Sequence, residues 1–87
     1  MTIFDFNRNE IIVGVDTDVK EIVESVANFA ISNNNIKDVS DIGSIDIVIA
    51  ENVVQVDGIV ESFDIVKEVS FDEWFKNIKD DKGTNND

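Results

Sequence analysis

Residues 45–65 read IDIVIAENVVQVDGIVESFDI, and the prediction of a sheet depends mainly on this stretch. Ile and Val dominate it, and apolar residues recur at alternate positions, as is typical of strands that bury one face. Two turn signals, Glu51-Asn52 and Asp57-Gly58, divide it into three predicted strands. Each turn fixes the register of the two strands that it joins, and a shift of one residue would move every side chain to the other face. The two turns independently predict the same buried face. That face consists of Ile45, Ile47, Ile49, Val54, Val56, Ile59, Phe63 and Ile65.

Glu61 is the one charged residue that this register places on the predicted core face. An inward-pointing charge on an outer strand protects a sheet against edge-to-edge aggregation. A β-bulge that rotates the side chain outward would explain the position equally well. The sequence leaves both alternatives open.

The segment before this stretch predicts a hairpin and a helix. Two short apolar runs at 2–6 and 10–15 flank Asn7-Arg8-Asn9, a pattern that indicates two strands joined by a three-residue loop. Asp18 followed by Glu21 resembles a capping box at the start of a helix. The helix carries an apolar stripe at spacings of three and four, formed by Val19, Ile22, Val23, Val26, Phe29 and Ala30. Asn33-Asn34-Asn35 ends the helix, and residues 36–43 are predicted to form a loop.

The segment after this stretch predicts a second helix. Ser70 and Glu73 form a capping box, and Val69 and Trp74 occupy the two positions of a hydrophobic staple. The apolar stripe of this helix is Phe71, Trp74, Phe75 and Ile78. The sequence therefore predicts one small α+β domain over residues 1–81, in the order ββαβββα. We expect an antiparallel sheet of about five strands with both helices packed on one face, and a disordered tail at 82–87.

Composition supports a sheet and excludes several kinds of chemistry. Val and Ile together supply 26 of the 87 residues and Leu none, which favours strands. The chain has no Cys and no His, so it cannot form a disulfide framework or a conventional zinc site. The sequence has no Gly-rich phosphate loop, and no nucleophile motif surrounds any of its Ser residues. We therefore expect a protein that is not an enzyme and that uses no cofactor.

Location is predicted from what the sequence lacks. Its apolar runs are far shorter than the roughly 20 residues that a membrane-spanning helix requires. The first residues carry no basic segment followed by a cleavage site of the kind that directs secretion. We expect a cytoplasmic protein, in the host cytoplasm if a phage encodes it.

Asp16, Asp18 and Glu21 are candidate ligands of a hard cation, because Ca²⁺ and Mg²⁺ prefer carboxylate oxygens. The calcium-loop pattern of alternating acidic residues, a glycine and a distal Glu is not completed here. Acidic side chains in the first turn of a helix are stabilising without any metal. The sequence therefore favours helix capping, and no metal site is predicted.

Charge is unevenly distributed along the chain. The net charge is −12, from 19 acidic and 7 basic side chains. Residues 38–73 contain ten of the acidic side chains against Lys67 alone, so three quarters of the net charge lies in this segment. Such a field disfavours direct binding to nucleic acid or to an anionic membrane and favours basic partners.

The candidate partner-binding residues are the acidic groups on the sheet. Alternate residues on one strand face lie about 6.7 Å apart, close to the advance of about 6.8 Å for two nucleotides along one DNA strand. Carboxylates on the face opposite the core, next to Val48, Ala50, Val53 and Val60, would then imitate phosphates beside desolvatable apolar surface. The predicted binding residues are Asp46, Glu51, Asp57, Glu61 and Asp64.

In size, charge and missing catalytic residue types the chain resembles the small acidic inhibitors that phages and mobile elements use against nucleic-acid-binding enzymes. This class includes DNA mimics that block uracil glycosylase, restriction enzymes and CRISPR effectors. The resemblance implies a protein that occupies the basic groove of a nucleic-acid-binding protein or nuclease. Two alternatives stay open: an immunity or antitoxin protein that neutralises a basic toxin, and a homo-oligomeric structural module. The sequence leaves open whether the chain is a monomer or a homodimer.

Overall fold

The computed structural model describes residues 1–85, with side chains through Lys79. Its elements are β1 (Thr2–Asp5), β2 (Glu10–Gly14), α1 (Val19–Ser32), a 3₁₀ helix (Val39–Ser44), β3 (Asp46–Val56), β4 (Ile59–Ser70) and α2 (Phe71–Asn85). Helix α2 thus extends past residue 81, the predicted end of the domain. Residues 86–87 of the predicted tail lie outside the described residues.

The predicted α+β class is confirmed, whereas the strand count and pairing differ from the prediction. The described residues form one sheet of four strands in the order β1-β2-β3-β4. Strands β1 and β2 are antiparallel, as are β3 and β4, but β2 and β3 are parallel. Parallel neighbours need a crossover connection, and α1 with the 3₁₀ helix supplies it. The 3₁₀ helix also replaces most of the loop predicted at 36–43.

Strand β3 runs through the predicted turn at Glu51-Asn52. Asn52 has a φ of 55°, and the pairing of β3 with β4 shifts between Glu51 and Val54. One strand with a β-bulge therefore stands where two strands were predicted. The second predicted turn, Asp57-Gly58, is present, with φ values of 53° and 80°.

Five of the eight residues of the predicted core face are not buried beneath the helices, because shifts in the pairing of β3 with β4 break the alternation on which that prediction was based. Ile45 and Ile47 are fully buried and Ile49 packs against them. Ile59, beyond the bulge, is 67% exposed. Ile65 is 57% exposed because a separate shift in the pairing, between Ile49 and Ala50, places it opposite Ala50 on the other face of the sheet. Val54 and Val56 are likewise about half exposed, and Phe63 packs on the opposite side of the sheet.

The main core lies between the helices and one face of the sheet. Ile22, Val26 and Phe29 of α1 are buried there, as the predicted stripe requires. Trp74 of α2 and Val69 join the same cluster. Both helices therefore pack on one face, as predicted.

The other face of the sheet carries a second, smaller core. Val48 and Ala50 are only 2% and 1% exposed, and they pack with Ile12. Val53 and Phe63 of the β3–β4 hairpin cover this cluster. The expectation that Val48 and Ala50 form an exposed apolar surface among the acidic residues is therefore wrong.

The molecule is elongated, measuring 47 × 30 × 17 Å. Within the described part of the chain, no helix is both long enough and apolar enough to cross a membrane.

Candidate functional site

Carboxylates on three neighbouring strands lie directly opposite one another. Asp5 at the end of β1 pairs with Glu10 at the start of β2, and Glu10 pairs with Asp46 at the start of β3. Glu68 of β4 completes the group, because one carboxylate oxygen from each of Glu10, Asp46 and Glu68 lies within 4.8 Å of the other two. We call these four residues the acidic cluster. It lies on the sheet face opposite the helices, at the end nearest the β1–β2 turn.

Asn9 holds together the strands that carry the acidic cluster. It adopts a φ of 57° in the β1–β2 turn, a backbone region that Asn tolerates better than most residues. Its backbone carbonyl accepts a hydrogen bond of 3.0 Å from the N–H of Asp46. Its side-chain oxygen accepts a hydrogen bond of 2.8 Å from the amide of Asn33, which is buried at the end of α1. This one turn residue therefore ties β2 to the start of β3 and to α1.

The electrostatics of the cluster are unfavourable at neutral pH. Partial burial raises the pKa of the Glu10 carboxyl, and the nearby Glu68, Asp5 and Asp46 carboxylates raise it further. The Arg8 guanidinium opposes this shift and lowers the pKa of Glu10, but the net change is upward. Like charges placed directly opposite on neighbouring strands are destabilising. The folded chain therefore holds these acids together against their mutual repulsion.

The cluster offers negatively charged oxygens to a cationic group. Three carboxylates within reach of one point suit a Lys ammonium or an Arg guanidinium, which carry only hydrogen-bond donors. A hard cation would also accept these oxygens, although Ca²⁺ takes six to eight ligands and the cluster supplies few of them. Asp18, one of the candidate cation ligands predicted from the sequence, caps helix α1 instead. Its Oδ1 accepts a hydrogen bond of 2.8 Å from the N–H of Glu21. The predicted capping of α1 is thereby confirmed.

The five predicted binding residues do not form one surface. Asp46 belongs to the acidic cluster, whereas Asp57 lies in the turn at the far tip of the β3–β4 hairpin. Ten residues of nearly extended strand lie between them, which corresponds to roughly 35 Å. Glu51 lies within β3 rather than in a turn, and it pairs with Asp64 across to β4. Asp64 also accepts a hydrogen bond of 3.0 Å from the Asn52 side chain.

Glu61 lies at a second irregularity of the hairpin. Val54 pairs with Ser62 and Gln55 with Val60, so Glu61 is the extra residue of a bulge in β4. Its side chain is exposed. The structure thus supports the outward-rotating bulge rather than a charge directed into the core.

Sequence reasoning missed three members of the acidic cluster. Asp5 and Glu10 flank the predicted hairpin loop, so their pairing could have been read from that loop. Asp46 and Glu68 join them only through the parallel pairing of β2 with β3, which no local pattern indicates. An apolar groove of about 310 Å³ beside the 3₁₀ helix was also missed; it is lined by Val39, Ser40, Ile42, Gly43, Phe71 and Asp72.

Comparisons with known proteins do not identify the chain. No protein-family model matches it, and neither curated proteins nor solved structures give a significant match.

Proposed function

We propose that this chain is a small acidic inhibitor without catalytic activity. It binds the basic groove of a nucleic-acid-binding protein or nuclease through the acidic cluster, in competition with nucleic acid. The observation that carries the proposal is the row formed by Asp5, Glu10 and Asp46 in register across three strands, with Glu68 beside it.

The row of like charges lowers the stability of the isolated protein, and a binding role would explain why the chain carries it. Like charges directly opposite one another in a sheet disfavour folding. Partial burial raises the pKa of Glu10, and repulsion from the neighbouring carboxylates raises it further. Basic side chains of a partner would convert this repulsion into attraction at the moment of binding.

The distribution of charge over the whole chain supports the same role. The segment 38–73, which contributes most of the net charge, supplies Asp46 and Glu68 and also the exposed acids of the β3–β4 hairpin. A field of one sign attracts an oppositely charged partner from a distance and accelerates its association. In this proposal the hairpin acids Glu51, Asp57, Glu61 and Asp64 steer the partner, and the acidic cluster makes the close contacts.

Any mimicry of nucleic acid then concerns charge density rather than phosphate spacing. Neighbouring strands lie about 4.8 Å apart, which matches neither the advance of about 3.4 Å per nucleotide nor that of about 6.8 Å for two nucleotides along one DNA strand. The cluster therefore presents a compact anionic site that a groove lined with Lys and Arg can surround.

The test compares two triple variants of equal charge. The cluster variant is Glu10→Gln, Asp46→Asn and Glu68→Gln. The control variant is Asp16→Asn, Glu21→Gln and Glu24→Gln, at exposed positions before and within α1. Binding partners are captured with the unmodified chain, and each variant then competes with labelled DNA or RNA for the captured protein. We expect the cluster variant to lose competition and the control variant to retain it.

Three outcomes would contradict the proposal. If both triple variants weaken binding alike, net charge alone is responsible. If nucleic acid and this chain bind the partner simultaneously, competition is wrong and a toxin-neutralising role takes its place. If the chain captures only itself, it is a homo-oligomeric module.

A further inference from the structure

The outer edge of β4 is a long strand edge that the fold leaves open. Among the described residues no strand pairs with this edge, since β4 is the last strand of the sheet. At twelve residues β4 is three times as long as β1, the strand at the opposite edge. An unpaired edge presents a row of free N–H and C=O groups that another extended chain can pair with. From residue 59 to residue 68 every side chain is exposed or half-buried.

The two faces of β4 next to this edge differ in chemistry. Ile65 pairs with Ala50, and Phe63 packs on the same side, so one face continues the second apolar core to the edge. Asp64 pairs with Glu51, so the opposite face carries two neighbouring carboxylates. A strand that added to this edge would bury apolar side chains on one face and meet negative charge on the other.

We propose that β4 accepts an extended segment of a partner protein, with alternating basic and apolar side chains, as a fifth strand of the sheet. Successive side chains of a strand point to opposite faces. Its apolar residues then cover Phe63 and Ile65, and its Lys or Arg residues reach Asp64 and Glu51. Backbone hydrogen bonds along β4 supply affinity, and the alternation supplies specificity.

Charge selects this occupant over a second copy of the chain. Each copy carries a net charge of −12. The edge stretch of β4 itself has Glu61, Asp64 and Glu68 against Lys67 alone. Two such edges would repel each other, and charged side chains on an edge are a common protection against self-pairing. A basic strand meets no such repulsion.

This inference rests on the proposed function in one respect, because both require a basic partner. It differs in requiring backbone pairing, which a purely electrostatic contact does not need. The test therefore uses two peptides of equal charge, each of about eight residues, long enough to span a typical strand. One alternates Lys with Val, and the other alternates Lys with Pro, which has no N–H to donate to a ladder.

Hydrogen exchange of backbone amides, followed by NMR, measures the binding of each peptide to the full chain at low salt. We expect the Lys-Val peptide to protect amides between residues 59 and 68 and to bind at least about tenfold more tightly than the Lys-Pro peptide, because only the first can form a ladder. Ile65→Ser should weaken the binding of the Lys-Val peptide. Ile31→Ser, at an exposed apolar position of α1, is the matched control and should leave it unchanged.

The outcomes separate this inference from the proposed function. Equal binding of both peptides, without protection of β4, would overturn strand addition and leave electrostatic binding of a basic partner intact. Binding of neither peptide would count against both. If the amides of β4 are protected without any peptide, and this protection increases with the concentration of the chain, then a second copy rather than a basic strand occupies the edge.

Discussion

Glu10 is the residue at which the repulsion of the acidic cluster is concentrated. It pairs with an acid on each side, Asp5 on β1 and Asp46 on β3. Its pKa is raised by partial burial, by the Glu68 carboxylate and by these two neighbours. A group whose pKa rises on folding binds its proton more readily in the folded state. Charged Glu10 therefore destabilises the fold at neutral pH, and protonation removes that effect.

Replacement of this charge should stabilise the protein. We expect Glu10→Gln to increase the free energy of unfolding at pH 7 by about 0.5–1 kcal/mol, as removal of like charges across strands predicts. The advantage of the variant should shrink as the pH falls through the raised pKa of Glu10, because the native carboxyl then becomes neutral as well. Urea unfolding at several pH values measures both effects. Glu24→Gln on α1 is the control of equal charge. If it increases the free energy of unfolding as much as Glu10→Gln does, the destabilisation is not specific to Glu10.

Strand β3 shows what the sequence could and could not predict at the scale of an element. Its apolar alternation through Ile45 and Ile47 correctly predicted a strand with one buried face. The pair Glu51-Asn52 was wrongly interpreted as a turn, because a bulge and a tight turn both favour Asn with a positive φ. The parallel pairing with β2 depends on the α1 crossover, which is a tertiary feature and leaves no local signal in β3. For the same reason only the Asp5–Glu10 part of the acidic cluster was accessible from the sequence.

The backbone of Asn52 provides a test of the bulge. A β-branched side chain at its φ of 55° is strained. We expect Asn52→Val to lower the free energy of unfolding by about 1–2 kcal/mol relative to Asn52→Gly, since strain of this kind costs of order 1–3 kcal/mol. Both variants lose the hydrogen bond to Asp64, so their difference isolates the backbone. Equal stability of the two variants in urea unfolding would mean that Asn52 is not held in this conformation.

Helix α2 contributes to stability mainly through Trp74. This side chain is 8% exposed and packs in the main core, whereas its neighbour Phe75 is about half exposed. We expect Trp74→Ala to lower the free energy of unfolding by about 3–5 kcal/mol, the range for truncation of a large core side chain. Phe75→Ala should cost clearly less. A Trp74→Ala protein that kept its melting temperature but lost its partner would place Trp74 at an interface instead.

At the scale of the whole molecule, repulsion among acidic groups opposes folding. In the proposed function, attraction to a basic partner offsets this repulsion. The net charge of −12 acts on an elongated molecule with a thin core. Two small apolar clusters, one on each face of the sheet, hold it together. Stability should therefore respond to ionic strength.

Added salt should raise the melting temperature. Screening of surface charges becomes substantial over about 8–10 Å near 0.1–0.15 M salt, and the repulsion within the protein falls accordingly. The response should be smaller in the triple variant Glu10→Gln, Asp46→Asn and Glu68→Gln. A melting temperature that stays flat or falls up to about 0.2 M salt would mean that specific ion pairs already compensate the charge of the carboxylates.

The most direct test of the central claim is an NMR titration of the Glu10 side-chain carboxyl carbon, in the free chain and in the complex with a captured basic partner. If the partner binds at the acidic cluster, its cationic groups will lower the pKa of Glu10 from its raised value in the free chain. The signal of Glu24, on the exposed face of α1, serves as the internal control in the same spectra. A pKa of Glu10 that stays raised in the complex would contradict the account, because the partner would then bind elsewhere on the molecule.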